Sequence, residues 1–387
     1  AKHFAGQHKA LLDANIKVKG VKSWISHYFL AAGVLTWLFA MVYDIHKFIP
    51  AEQLLWVELM MASTAAVLLW LGHKKQWPDF KWASLGVVFA MALPLYLTFV
   101  TLQWDLPVML NDWPVLNVAC LAMLTYALTH FMMSRYWQQK MKGASDMSPI
   151  ISAVLLLSSL AVWFINGIRE AQSFLASPHW LPAVVVFVSA SWMLFVLLAH
   201  RLKWDELHKI KYAITPVLAY LVLMTPNLQP YHASFGLLAW LMAFAVNYWG
   251  LKVYDNNAGN GFGKFTDTFH VLSLVSLSLV LMYEWAQLIE WQIGVSNIWH
   301  SSAAVTMMLV ILAVVYALRD RIKWPLQAQP HAYQFWALPL LMCGQWLMLL
   351  VLNLSDPGSL AGLPYLPVLN VIDVVGLGTL YLTFRMQ

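Results

Sequence analysis

Apolar runs of about 20 residues, the helix length that crosses a bilayer, recur from one end of this sequence to the other. Residues 180–200, for example, contain no Asp, Glu, Lys or Arg. In hydrocarbon a backbone must satisfy its own polar groups, so runs of this kind fold as helices. Composition agrees: 61% of residues are hydrophobic, only 11% are charged, and the mean hydropathy is +0.64. A soluble domain carries about 25% charged residues. No loop is long enough to hold a second, soluble domain. The fold class expected is therefore all-α, a polytopic transmembrane helical bundle.

Twelve spans are expected, near 26–46, 53–72, 82–103, 114–134, 149–169, 180–200, 210–226, 231–250, 266–287, 297–318, 332–353 and 365–385. The loops between them alternate sharply in charge. Of the 23 Lys and Arg, 21 fall on one side, and only Lys47 and Arg169 on the other. Basic loops stay in the cytoplasm, so both termini of the chain are expected there. The formal net charge of +5 is thus a topology signal, and nucleic acid is not an expected partner. The lipid bilayer is the expected partner, together with other membrane proteins or further spans of a longer chain. Residues 1–25 read as a Lys-rich, amphipathic cytoplasmic lead-in without the apolar core of a cleaved signal peptide. The missing initiator methionine suggests a processed or partial piece.

The opposite face is acidic. Ten of the 18 carboxylates fall on it or just inside it, which makes either a solvated outer surface or a mouth that attracts cationic groups. Two acids lie deeper. Glu58 is six residues into its span, and Glu284 adjoins Trp285. A carboxylate at membrane depth is costly and faces a cavity or a partner. Asn117 and Asn370 each follow a proline by three residues, at the outer start of a span. Capping of the new helix is one role for them. Asp373 lies on the same helical face as Asn370, and the pair could line a polar site. The candidate polar site is therefore Glu58, Glu284, Asn117, Asn370 and Asp373.

The sequence also repeats. Trp37, Trp163 and Trp285 sit in similar contexts, in steps of 126 and 122 residues. Trp56, Trp180 and Trp299 open the next span, which closes in a basic loop ending at Trp77, Trp204 or Trp324. Pro114-Val115-Leu116-Asn117-Val118 returns as Pro367-Val368-Leu369-Asn370-Val371, whereas Pro230-Tyr231-His232-Ala233 keeps only the proline. The expected organisation is three four-helix repeats, at 26–142, 143–262 and 263–387. Four spans per unit preserve orientation, so the repeats are parallel.

Cofactor chemistry has no support. Cys120 and Cys343 match no metal or disulfide spacing. The 13 histidines form no HExxH motif and no i, i+4 pair, and a bis-histidine haem site is not indicated. There is no Walker, GxGxxG or GxSxG motif. The glycines at 259–263 lie in a polar loop with no preceding strand and read as a linker. No cofactor, metal or catalytic residue is expected.

Leu363-Pro364-Tyr365-Leu366-Pro367-Val368-Leu369-Asn370-Val371-Ile372-Asp373 resembles the P-Y-L-P-L-L-N-P-L-D-L signature of a large family of bacterial multi-span membrane proteins of unknown function. Trp324-Pro325 and His270-Val271-Leu272 resemble other recurring blocks of that family. The similarity covers the chain as a whole, most specifically residues 265–385, and Val371 stands where the family has a proline after its asparagine. The resemblance implies a bacterial inner-membrane protein, with members longer than this chain, and it carries no catalytic residue across.

Three functions remain open, in this order. The first is transport, or handling of a lipid or other envelope substrate, through a groove between repeats. The second is a non-catalytic scaffold for envelope assembly, favoured by sparse polarity within the spans. The third is a transferase using a lipid-linked donor, ranked last because the outer loops are short.

Overall fold

The structure, a computed structural model, describes residues 27–49, 53–101, 113–140, 147–224, 235–255, 265–293, 297–355 and 370–386. The lead-in at 1–25, the loop at 259–263, the proline segment at 230–233 and most of the 363–373 signature lie outside the described residues. Among those described, the ordered elements are helices and no strand occurs. Nine helical stretches among the described residues are long and apolar enough to cross a membrane. The surface pattern agrees with a lipid solvent. Phe39 and Leu354 are 82% and 79% exposed, while Glu58, His130, Asn247 and Gln345 are buried. In water so much exposed apolar surface would drive association.

Packing divides the chain into two compact units, 1–173 and 174–387. The first contains α1 (His27–Phe48), α2 (Gln53–Lys74), α3 (Pro78–Ala90), α4 (Ala92–Thr101), α5 (Val118–Lys140) and α6 (Ser148–Phe174). Helix α2 is central and packs on α3 and α5. Val57, Met61, Val88, Met91, Met123 and Tyr126 belong to its core. The α2–α3 turn is tight: Gln76 has φ 53°, and a Cβ on Gly72 would stand 3.1 Å from the Trp77 carbonyl oxygen. Pro78 then occupies the first helical turn, where its missing N–H costs nothing.

Helix α5 has 23 residues but is absent from the nine apolar stretches, because Thr125, Thr129, His130, Ser134 and Arg135 interrupt it. Its polar side chains are used against α6. Ser134 and Ser152 exchange hydrogen bonds, each hydroxyl donating to the other's carbonyl, at 2.7 and 3.0 Å. Ser159 donates to the Ala127 carbonyl at 2.7 Å, and Asn166 Nδ2 lies 3.2 Å from Cys120 Sγ. The rungs pair 134 with 152, 127 with 159 and 120 with 166. Each step is seven residues on both helices, in opposite directions. That is the heptad of an antiparallel, left-handed pair, and small residues at the rungs let the two backbones approach closely.

The second unit runs through α7 (Ser177–Leu202), α8 (Asp205–His208), a 3₁₀ turn (Lys209–Tyr212), α9 (Ile214–Met224), α10 (Gly236–Asp255), α11 (Thr266–Ile293), α12 (Asn297–Leu318), α13 (Leu338–Ser355) and α14 (Val371–Met386). Helix α11 is the hub, packing on α9, α10 and α12. Thr215 of α9 donates to Asn247 Oδ1 of α10 at 2.7 Å, and Asn247 Nδ2 donates to Ser273 Oγ of α11 at 2.8 Å. Three helices are thereby joined by a satisfied buried chain. Gly250 lets α10 lie on α7: a Cβ there would stand 2.4 Å from the Trp192 ring. A kink at Trp324 within Lys323–Gln327 and a wide π turn, His331–Ala337, lead into α13. Pro339, which has no N–H to give to the preceding turn, follows the second of them.

Trp77, Trp204 and Trp324 share one local role. Each is extended, with φ/ψ of −96°/110°, −108°/101° and −129°/135°. The first two stand immediately before a helix and the third lies in the turn that leads to α13.

Candidate functional site

Glu58 is fully buried in α2, and neither carboxylate oxygen has a hydrogen-bond partner. It lies within electrostatic reach of the Tyr126 phenol on α5. Tyr126 O–H is hydrogen-bonded to Ser158 Oγ of α6 at 2.6 Å, and its ring stacks on His130 with centroids 3.8 Å apart. His130 Nδ1 lies 3.0 Å from the Tyr126 carbonyl oxygen. A carbonyl can only accept, so Nδ1 bears the proton. Nε2 is then the bare nitrogen of a neutral ring, and it too is buried without a partner. Glu58 and His130 thus each carry buried polar atoms without a partner, and each stands beside Tyr126. Each costs free energy as it stands, since an unpaired buried polar group loses its hydration without replacement.

Asn117 belongs to a different arrangement, at the start of α5. Its Oδ1 accepts the Cys120 N–H at 2.8 Å, so it caps the helix. Its Nδ2 donates to both oxygens of Glu170, at 2.9 and 3.0 Å, and Arg169 Nη2 donates to Glu170 Oε1 at 2.9 Å. Glu170 Oε2 also accepts the Val115 N–H at 2.9 Å. That bond helps to hold Val115 at φ 68°, a left-handed conformation that strains a β-branched residue. The group is a hydrogen-bonded clamp between the loop before α5 and the end of α6, with only Arg169 Nε left without a partner in it.

The other three candidates lie in the second unit. Asn370 Oδ1 accepts the Ile372 N–H at 3.2 Å, capping α14, and Asp373 stands in the first turn of that helix. Glu284 is buried in α11. The five sequence candidates are therefore distributed: Glu58 with Tyr126 and His130, Asn117 with Arg169 and Glu170, Asn370 with Asp373 on α14, and Glu284 on α11.

A further buried cluster closes the basic-loop end of α10 and α11. Asp255 Oδ1 and Oδ2 both lie 3.3 Å from His270 Nε2, and the Trp324 indole N–H donates to Oδ2 at 2.8 Å. His270 Nδ1 lies 3.1 Å from the Tyr333 hydroxyl, which is in turn hydrogen-bonded to Tyr248. With Nε2–H directed at the carboxylate, Nδ1 accepts from Tyr333. Burial pushes the Asp255 carboxyl up, but the hydrogen bonds from His270, Trp324 and Gln329 outweigh it and leave its pKa below the ordinary value. Lys252 Nζ lies 5.8 Å from the Trp324 ring centroid. His270 and Trp324 are the residues that the sequence singled out by resemblance. Asp255, Tyr248 and Tyr333 had no signal beyond a lone acid in a basic loop region and two tyrosines in apolar runs.

Among the described residues, no group of three or more His, Cys, Asp or Glu could hold a metal ion. Cys120 and Cys343 are free thiols.

A family model described as "Predicted membrane protein (DUF2339)" matches residues 151–386, well over half of the chain. The chain belongs to that family. No curated protein and no solved structure matches it. The DUF2339 match contains the whole Asp255–His270–Tyr333 network together with Glu284, Asn370 and Asp373. Glu58, Tyr126, His130 and Asn117 lie before it. In its apolar helices and inverted surface pattern this DUF2339 chain is a multi-pass helical membrane protein.

Proposed function

We propose that this chain transports, or handles within the membrane, a lipid-like or other envelope substrate, using polar sites inside its helical units. The observation that carries the reading is Glu58: a buried carboxylate with two unpartnered oxygens in a membrane-spanning helix. Inner packing that needed only stability would be served as well by an apolar side chain of similar volume. Ionisable groups at membrane depth mark substrate or ion pathways.

The proposed setting is a bacterial inner membrane, with twelve spans in three parallel four-helix repeats at 26–142, 143–262 and 263–387. Both termini are cytoplasmic. Helices α5, α9 and α14 supply the three spans beyond the nine strongly apolar ones. The shared extended conformation of Trp77, Trp204 and Trp324 supports the repeat, and the 21-to-2 division of basic residues supports the orientation. A scaffold is the second reading, favoured by the hydrogen-bonded α5–α6 ladder and the Asn117–Glu170 clamp.

The test is complementation of a deletion strain by the Glu58→Gln, Glu284→Gln double variant, with membrane abundance measured alongside. Glutamine keeps shape and hydrogen bonding while removing the charge. Loss of function at normal abundance is the expected result. Full activity at normal abundance would refute the pathway and leave the scaffold ahead.

A further inference from the structure

The first unit holds a groove of about 450 Å³ between α1 and α3. Both helices begin at its polar end, where His27 Nδ1 lies 3.0 Å from Asp79 Oδ2. From there the groove follows α1 to Leu38 and α3 to Ala90, a length of about 16 Å on either helix at 1.5 Å per residue. That is the depth of one leaflet, half of a hydrocarbon core about 30 Å thick. Volume over length gives a cross-section of about 27 Å², against about 80 Å² for an α-helix 10 Å across. A single polymethylene chain, about 4–5 Å thick at van der Waals contact, fits this space and a helix does not. Small residues keep it open. The ion pair ties α1 to α3, and the Trp37 indole N–H donates to Thr64 Oγ1 of α2 at 3.2 Å, but Ala31, Ala83, Gly86 and Ala90 leave the space between α1 and α3 unfilled. A Cβ on Gly86 would meet nothing within 4 Å, unlike those on Gly72 and Gly250. Glycine weakens a helix interior, and close helix packing is not what requires it here. Leu35 of the lining is exposed, so the groove opens sideways toward lipid.

We propose that this groove binds an acyl chain of an anionic phospholipid, with the phosphate at the His27–Asp79 end. The inference rests on the proposed function and deepens it by naming the substrate class. Lipid tails are as apolar as the helices, so the chain is held by van der Waals contact along the groove walls, and the headgroup by charge. Lys74, Lys75 and Lys81 lie around the α2–α3 turn, at the end of the unit where the groove begins. Helices α1 and α3 both start there, and the N-terminal end of a helix dipole is positive. A basic setting between helices at the membrane surface suits an anionic headgroup. The one carboxylate of the groove, Asp79, is engaged by His27. Trp82, one turn further in, lines the groove where an indole rests at the boundary of headgroup and tail.

The experiment uses the purified full chain in mild detergent and phosphatidylglycerol carrying a diazirine in its acyl chain. Photolabelled residues are mapped by peptide mass spectrometry. Labels are expected at groove positions of α1 and α3. Unlabelled phosphatidylglycerol should compete, and diacylglycerol, which lacks the phosphate, should not. Leu347 and Val351 of α13, exposed apolar residues of the other unit, report unspecific contact. In Gly86→Trp the indole enters open space, so groove labelling should fall to the level of α13 while thermal unfolding stays unchanged. Gly86→Leu is the milder variant and should lose part of the label. Groove labelling no higher than that of α13, labelling unchanged by both substitutions, or equal competition by diacylglycerol would overturn the proposal. So would a dimer that Gly86→Trp dissociates, since a second copy would then occupy the groove. The two readings fail separately. A labelled groove in a protein whose Glu58→Gln, Glu284→Gln variant complements fully would refute the transport function alone, and an inactive glutamine variant with an unlabelled groove would refute the lipid site alone.

Discussion

Removing the Asp255 carboxylate tests the buried network at the end of α10. In Asp255→Ala the His270 Nε2–H and the Trp324 indole N–H lose their acceptor, as does the side chain of Gln329, which is only half-buried and can bond to water instead. An orphaned buried donor costs about 1–3 kcal/mol. His270 is fully buried and takes the upper value, whereas half-buried Trp324 can reach water and takes the lower. The total is about 3–4 kcal/mol. For a unit of this size each kcal/mol shifts Tm by about 2–4 °C, so Tm should fall by roughly 10 °C. Asp255→Asn keeps one carbonyl acceptor and should lose about half as much. The assay is thermal unfolding in mild detergent, followed by circular dichroism and by size exclusion of heated samples. A pH series adds a check on sign. The Asp255 pKa is lowered in the folded chain, so its contribution is present above the ordinary carboxylate pKa and is lost as pH falls through the folded value. Asp255→Asn should lack that acid-side loss. A shift below about 2 °C for Asp255→Ala, or an equal loss in both variants, would refute the donor count.

Two further outcomes follow from the packing and the charge pattern. Ser159→Ala should cost about 0.6–1.7 kcal/mol, the range for one interhelical hydrogen bond in a membrane protein, and Ser159→Leu a further 1–3 or so from overpacking; equal stability of the two variants would show that the α5–α6 backbones are not in close approach. Single cysteines at Gln76 and Arg321 should resist a membrane-impermeant thiol reagent applied to intact cells, while one at Trp113 should react, and labelling of Gln76 or Arg321 from outside would reverse the proposed orientation.

Helical class and membrane residence were legible in the sequence, because hydrocarbon leaves a chain few ways to satisfy its backbone and forces long apolar runs. The helix at Pro78 begins four residues before the span expected from 82, since the ring of Pro78 fits a first turn. The proline-then-asparagine spacing pointed to helix caps, and Asn117 and Asn370 do bond to the first turns of α5 and α14. These are local properties, set within a few residues. The partners of buried polar groups were not legible. Glu58 has no special neighbour in sequence, and its approach to Tyr126 arises only when α2 packs on α5, some 70 residues away. Asp255 reads as one acid among basic loop residues until folding brings His270 and Trp324 to it. The α5–α6 ladder sits between these cases: its seven-residue spacing is written in each helix, but small polar residues at such intervals gain meaning only when two helices meet in the register that aligns them. Sequence by itself determined where helices form and that they lie in lipid, because those follow from the cost of exposing backbone and charge to hydrocarbon. Which lone pairs stay empty was decided by tertiary packing alone, since an orphaned carboxylate is a property of what surrounds it.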